Sequence, residues 1–150
     1  MRTFGFTILE LLVVIAILLI VSLFSFVAIR EYALYQQMQS AEQTLTALFR
    51  ETRQKTIAAE TETNFGLHFA SSTVIRFEGA STTTAPEENV VIEIPHVVIT
   101  TMFSDGSNAV RFARLSGRPS ATGTIAISGI QTDRVRQLYI TDTGLLLPDN

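Results

Sequence analysis

A run of apolar residues near the N-terminus constrains this chain more than any other feature. Between Leu11 and Ile29 only Ser22 and Ser25 are not apolar. As a helix rising about 1.5 Å per residue, this run of roughly nineteen residues is about 28 Å long, enough to cross the core of a bilayer. The sequence therefore predicts a membrane-spanning helix, with the short leader in the cytoplasm and the larger polar part outside.

Glu10 stands at the head of this run, where a carboxylate costs free energy unless a cation pairs with it. A cleaved secretory signal fits poorly, because bulky Phe26 lies two residues before Ala28 where a small residue is needed. A plain membrane anchor explains the length of the run and leaves Glu10 unexplained. Two further interpretations remain, a carboxylate that reaches the headgroups and a carboxylate with a specific function.

The stretch "GFTILELLVVIAIL" resembles the processing site of type IV pilins and type II secretion pseudopilins. The resemblance implies that prepilin peptidase cleaves between Gly5 and Phe6 and methylates the new N-terminus at Phe6. Thr7 and Glu10 match the second and fifth mature positions of the family, which implies a role in assembly. The new ammonium at Phe6 would offset the charge of Glu10 inside an apolar filament core.

The helical pattern continues beyond the apolar run, and we predict one helix from about Phe6 to about Ala59. Its second half is amphipathic, because apolar or small residues recur at spacings of four and three. This stripe, interpreted as core packing, comprises Leu34, Met38, Ala41, Leu45, Leu48 and Thr52. The predicted organisation is a prepilin leader (1–5), a transmembrane or filament-core helix (6–30), the amphipathic half of that helix (31–60) and an extracytoplasmic β-rich head (61–150).

Short β-type runs separated by turn residues follow the helix. One of them, "VVIEIPHVVITTMF", is predicted to form one or two strands broken at Pro95. A long helix followed only by strands predicts an α+β fold, pilin-like, with the helix packed on one face of an antiparallel sheet. This layout resembles the H-type minor pseudopilins and the FimT-like minor pilins, which implies a minor subunit.

No pattern of catalytic residues accompanies this fold. The chain has no cysteine, so it has neither disulfides nor a thiol nucleophile. His68 and His96 are interpreted as structural strand residues, and Asp105 is the only carboxylate in the turn "SDGSN", which is too few for a calcium loop. We expect a structural subunit without enzymatic activity, metal or cofactor.

Charge divides the predicted head into an acidic and a basic half, although the net charge is only -3. Between residues 60 and 105 Arg76 is the only base, and between residues 106 and 138 Asp133 is the only acid. The two halves are interpreted as surfaces that meet between stacked subunits, as a DNA-binding face aided by Tyr139, or as ordinary solvated strands. The candidate contact residues are Arg111, Arg114, Arg118, Arg134 and Arg136.

The partners expected from the resemblance are prepilin peptidase, other pilin or pseudopilin subunits, an inner-membrane assembly platform and the lipid bilayer. Nucleic acid is expected only if the arginines bind DNA. The predicted localisation is the cytoplasmic membrane, with the head outside, followed by a pilus or pseudopilus filament.

Overall fold

A computed structural model describes residues 7–59, 62–130 and 134–148, without the side chains of residues 23–31. The chain divides into two compact units, Met1–Tyr35 and Gln36–Asn150. Helix α1 spans Ile8–Ala58 and a short 3-10 helix spans Pro86–Glu88. The strands are β1 (Phe65–Phe69), β2 (Thr73–Glu78), β3 (Val90–Glu93), β4 (Val97–Phe103), β5 (Ala109–Arg111), β6 (Gly123–Gly129), β7 (Val135–Ile140) and β8 (Leu146–Pro148).

The helix in the N-terminal unit begins with a side-chain cap. The hydroxyl oxygen of Thr7 accepts a hydrogen bond from the backbone N–H of Glu10 at 3.2 Å. Thr7 therefore satisfies one of the N–H groups that the first turn of a helix leaves without a backbone partner. The predicted start at Phe6 lies outside the described residues.

The strands form two four-stranded antiparallel sheets, in the orders β3-β2-β1-β5 and β4-β6-β7-β8. The α+β fold is confirmed, and its strands divide between two sheets where the sequence predicted one. The chain turns at Pro95 and His96, and His96 has a positive φ of 65°. Because proline lacks an N–H and this φ is not a strand conformation, β3 and β4 cannot continue as one strand and they join different sheets. His96 thus lies in a turn, not in the predicted strand.

The core of the C-terminal unit lies between the helix and the two sheets. Five members of the predicted stripe are buried, and three of them, Ala41, Leu45 and Leu48, belong to this core; the other two are Met38 and Thr52. The prediction missed Phe49, which is 1% exposed. Its ring meets that of Phe112 edge to face at a centroid distance of 5.2 Å. The buried Thr52 hydroxyl donates to the carbonyl of Leu48 at 2.7 Å, so burial leaves it no unmet hydrogen bond.

Ion pairs join the helix to each sheet. Glu51 pairs with Arg76 of β2, in the first sheet, at 2.5 Å. Glu42 pairs with Arg136 of β7, in the second sheet. The helix is therefore fixed to both sheets by charge as well as by apolar packing.

Candidate functional site

The residues around the predicted cleavage site fall partly outside the described structure. Gly5 and Phe6 lie outside the described residues, whereas Thr7 and Glu10 are described and exposed. Thr7 caps the helix, and Glu10 occupies its first turn, three residues later. The spacing Thr-x-x-Glu is the signature of a capping box, a signal that the sequence contained and that the prediction did not use. A carboxylate in the first turn also interacts favourably with the positive end of the helix dipole.

Beyond Glu10, the described first half of the helix is apolar and exposed. Ile8 is 86% exposed, and every described side chain from 8 to 22 is exposed as well. The Ser22 hydroxyl donates to the carbonyl of Leu18 at 2.8 Å, so this polar side chain is satisfied within the helix. A helix that is apolar around its circumference requires lipid or other protein to cover it.

Three of the five candidate arginines lie together. Arg111 ends β5, and Arg114 and Arg118 lie in the loop that follows. The loop folds back on itself, because the N–H of Ala113 donates to the Arg118 carbonyl at 2.8 Å. All three arginines are exposed. They form a basic loop at one edge of the first sheet.

The other two arginines lie on a different sheet. Arg134 immediately precedes β7, and Arg136, on that strand, pairs with Glu42. The basic loop instead contacts the helix near Arg53, whose Nε donates to the Gly117 carbonyl at 3.2 Å. Glu42 and Arg53 are eleven residues apart (53 − 42), or about 16 Å along the helix. The structure therefore does not gather the five arginines into one surface.

Several acidic residues of the head lie at the opposite edge of the first sheet. Glu87 and Glu88 precede the edge strand β3 and Glu93 ends it, and all three are exposed. The hydrogen bond that the protonated Glu88 carboxyl donates to the Glu78 carboxylate, together with repulsion by the charge of Glu78, raises the pKa of Glu88 above its usual value. Because β3 and β5 are the two edges of one sheet, these glutamates and the basic loop lie at opposite edges. Asp105, by contrast, has a pKa lowered mainly by hydrogen bonds from Ser107, and it lies close enough to Arg111 for that cation to lower the pKa further.

Comparison with known proteins agrees with this geometry. The family model of the prokaryotic N-terminal methylation motif matches residues 1–26. The structure is similar to the crystal structure of the type IV minor pilin FimU of Pseudomonas aeruginosa, with a TM-score of 0.60 and 17% sequence identity. The similarity covers 77% of this chain and 90% of that one. This chain has a pilin fold and a prepilin-type N-terminus. No curated protein matches its sequence significantly.

Within the part of this pilin fold that the structure describes, no helix is long and apolar enough to cross a membrane.

The remaining candidate residues of the head, His68 and Asp105, lie in a strand and in a turn. His68 lies in β1 as predicted, and its Nδ1 is buried without a hydrogen-bond partner among the described residues. Asp105 accepts hydrogen bonds from the backbone N–H and the hydroxyl of Ser107, at 3.0 and 2.8 Å. These bonds hold the pKa of Asp105 below its usual value. The carboxylate thus stabilises its own turn, and the described residues contain no group of three potential metal ligands.

Proposed function

We propose that this chain is a prepilin that is cleaved after Gly5 and assembled, as a minor subunit, into a type IV pilus or a type II secretion pseudopilus. The methylation motif over residues 1–26, continuous with an exposed apolar helix, carries this proposal. The fold supports it, because the similar solved structure is that of a type IV minor pilin. A structural subunit of this kind needs no catalytic site.

The proposed organisation follows the sequence. Residues 1–5 form the leader that prepilin peptidase removes, and residues 6–30 lie first in the membrane and then in the filament core. Residues 31–60 carry the amphipathic half of the helix, and residues 61–150 form the head outside the cytoplasmic membrane. The run from Leu11 to Ile29, apolar except for Ser22 and Ser25, supports the membrane step, and partner subunits take the place of lipid after assembly.

The cap at Thr7 suggests how cleavage and assembly are linked. Cleavage after Gly5 would place a methylated ammonium at Phe6, directly before the capping residue. A positive charge there opposes the helix dipole, and the carboxylate of Glu10 in the first turn offsets it. In an assembled filament, Glu10 would also offset the ammonium of a neighbouring subunit. In this proposal Thr7 caps the first turn of the helix, and Glu10 supplies the negative charge that offsets the ammonium.

The cleavage proposal is tested with Gly5→Leu in the full chain, expressed with its own prepilin peptidase. We expect the variant to keep residues 1–5, because a bulky side chain hinders entry of the scissile bond into the protease. Mass spectrometry of the intact chain measures both the loss of the leader and the added methyl group. Thr3→Leu, which leaves Gly5 in place, is the matched control and should be processed. Normal processing of Gly5→Leu would contradict the site.

A second candidate function rests on the basic loop. Arg111, Arg114 and Arg118 are exposed on one short segment, a local concentration of charge that suits the phosphates of DNA. This would make the protein a DNA-binding minor pilin of an uptake pilus. Arg136 contributes less to this function, because it already pairs with Glu42.

A further inference from the structure

The outer face of the second sheet carries no charged side chain among the described residues. Its side chains form rows across the strands, which the register defines: Met102, Thr124, Tyr139 and Leu147; Thr100, Ala126 and Gln137; Val98, Ser128 and Val135. All of these residues are described, and none is charged. We call this surface the uncharged face.

Large apolar side chains on this face are exposed. Met102 is 77% exposed, Val135 53%, and Tyr139 and Leu147 48% each. The opposite face of the same sheet already packs into the core of the head. Its buried residues include Ile125, Ile127, Leu138 and Ile140. Apolar groups aligned across an exposed sheet, without the charges that usually keep such a face solvated, mark an interaction surface.

The chemistry of the face selects its partner. Without a lysine or arginine it offers no positive charge to the phosphates of nucleic acid or to anionic lipid headgroups. Its hydroxyl and amide groups, Thr100, Thr124, Ser128 and Gln137, provide hydrogen bonds around the apolar row. The matching surface is therefore a protein face that is itself uncharged and partly apolar.

The size of the face indicates how the partner is held. Three strands with about five residues each on the face and β8 with three, about 4.8 Å apart and about 3.3 Å per residue, cover about 290 Å². A stable complex between freely diffusing proteins buries about 800 Å² on each partner. The face alone is too small for such a complex, and it suits a partner that is already brought close by another contact.

Symmetry excludes a second copy that binds through the same face. Two copies that meet in that way form a closed pair, whereas a filament requires contacts that continue. A minor subunit, as proposed above, has mainly other subunits as its neighbours in a filament. We infer that the uncharged face binds the head of a different pilin-type subunit, held beside this one in the filament by its own N-terminal helix. This inference rests on the proposed function and adds the surface and the partner.

Photo-crosslinking in cells of the native organism tests the partner. A photoreactive phenylalanine analogue replaces Met102 or Tyr139 on the face, or Leu115, which is 68% exposed but lies off the face, as the control. We expect adducts at Met102 and Tyr139, absent at Leu115, whose second component is another protein with a prepilin signal, identified by mass spectrometry. Adducts of the chain with itself alone, equal adducts at Leu115, or no adducts would each overturn the inference.

A charge placed in the centre of the face tests its role in assembly. Thr124→Lys should lower the amount of the chain in sheared filaments by tenfold or more, while leader removal and the melting temperature of the head stay as in the wild type. Thr83→Lys, in an exposed loop off the face, is the matched control. Equal incorporation of the two variants would overturn the inference. A wild-type chain that keeps its leader would instead overturn the proposed function, so the two failures are distinguishable.

Discussion

Single residues set the tightest steric limits in this fold, and Gly66 is the clearest case. A Cβ atom at Gly66 would lie 2.3 Å from Cζ of Phe77, whose ring is 2% exposed and packs directly over the glycine. Gly66→Ala should therefore lower the free energy of unfolding by about 1–3 kcal/mol, because the ring must leave its rotamer or the strands must separate. Chemical denaturation of the detergent-solubilised chain measures the change.

The control for this variant is Gly106→Asn. No atom lies within 4 Å of the position that a Cβ would take at Gly106, and its φ of 70° is one that asparagine tolerates. We expect a change within about 0.5 kcal/mol. If Gly66→Ala were as stable as Gly106→Asn, Phe77 would not pack as the structure shows.

Glu10 is the residue on which assembly depends in the proposed function. Glu10→Gln removes the charge and keeps the shape, and the cap persists because Thr7 bonds the backbone of residue 10. We expect normal leader removal and at least a tenfold loss of subunits from filaments. Glu10→Asp, which keeps the charge, should retain more incorporation than Glu10→Gln. Filaments of normal length and yield from Glu10→Gln subunits would show that the charge is not needed.

At the scale of elements, the ion pairs between helix and sheets can be measured one at a time. A double-mutant cycle with Glu42→Gln and Arg136→Gln should give a coupling of about 0.5–1 kcal/mol, because the pair is partly shielded from solvent. The coupling should fall with added salt. The control is the same cycle with Glu42→Gln and Arg118→Gln, since Arg118 lies in the distant basic loop. A coupling no larger than that of the distant pair would contradict the contact.

The elements also show how far the sequence predicts the fold. The stripe from Met38 to Thr52 was predictable, because helical spacing depends only on neighbours three and four residues apart. Phe49 was missed because the buried face of a helix is wider than a single stripe. The inward position of Arg136 depends on Glu42, which is 94 residues away in the sequence, and no local pattern contains that information.

Local sequence patterns also could not predict that the strands divide into two sheets. Strand lengths can be read from the apolar runs, but which strands pair is decided by the packed structure. The same difference between local and non-local information applies to the candidate site. Its N-terminal motif is local and was found, whereas the separation of the arginines and the uncharged face emerge only when strands are placed side by side.

At the scale of the whole molecule, the second candidate function makes a prediction about charge. The triple variant Arg111→Gln, Arg114→Gln, Arg118→Gln should bind duplex DNA more weakly than the wild type. The slope of the logarithm of the affinity against the logarithm of the salt concentration should become less steep, by the amount expected for the loss of up to about three phosphate contacts. Arg134→Gln with Arg136→Gln should have a smaller effect, and this is the matched control. Fluorescence anisotropy at two salt concentrations measures both. DNA affinity that is unchanged in the triple variant would exclude the basic loop as a DNA site.

The contacts along residues 42–53 of the helix also have a mechanical consequence. Glu42, Glu51 and Arg53 bond to the second sheet, the first sheet and the basic loop at successive points along one axis. A pull along that axis loads these points in shear and in parallel, so they share the force instead of separating one after another. A head fastened in this way is suited to a fibre that carries tension.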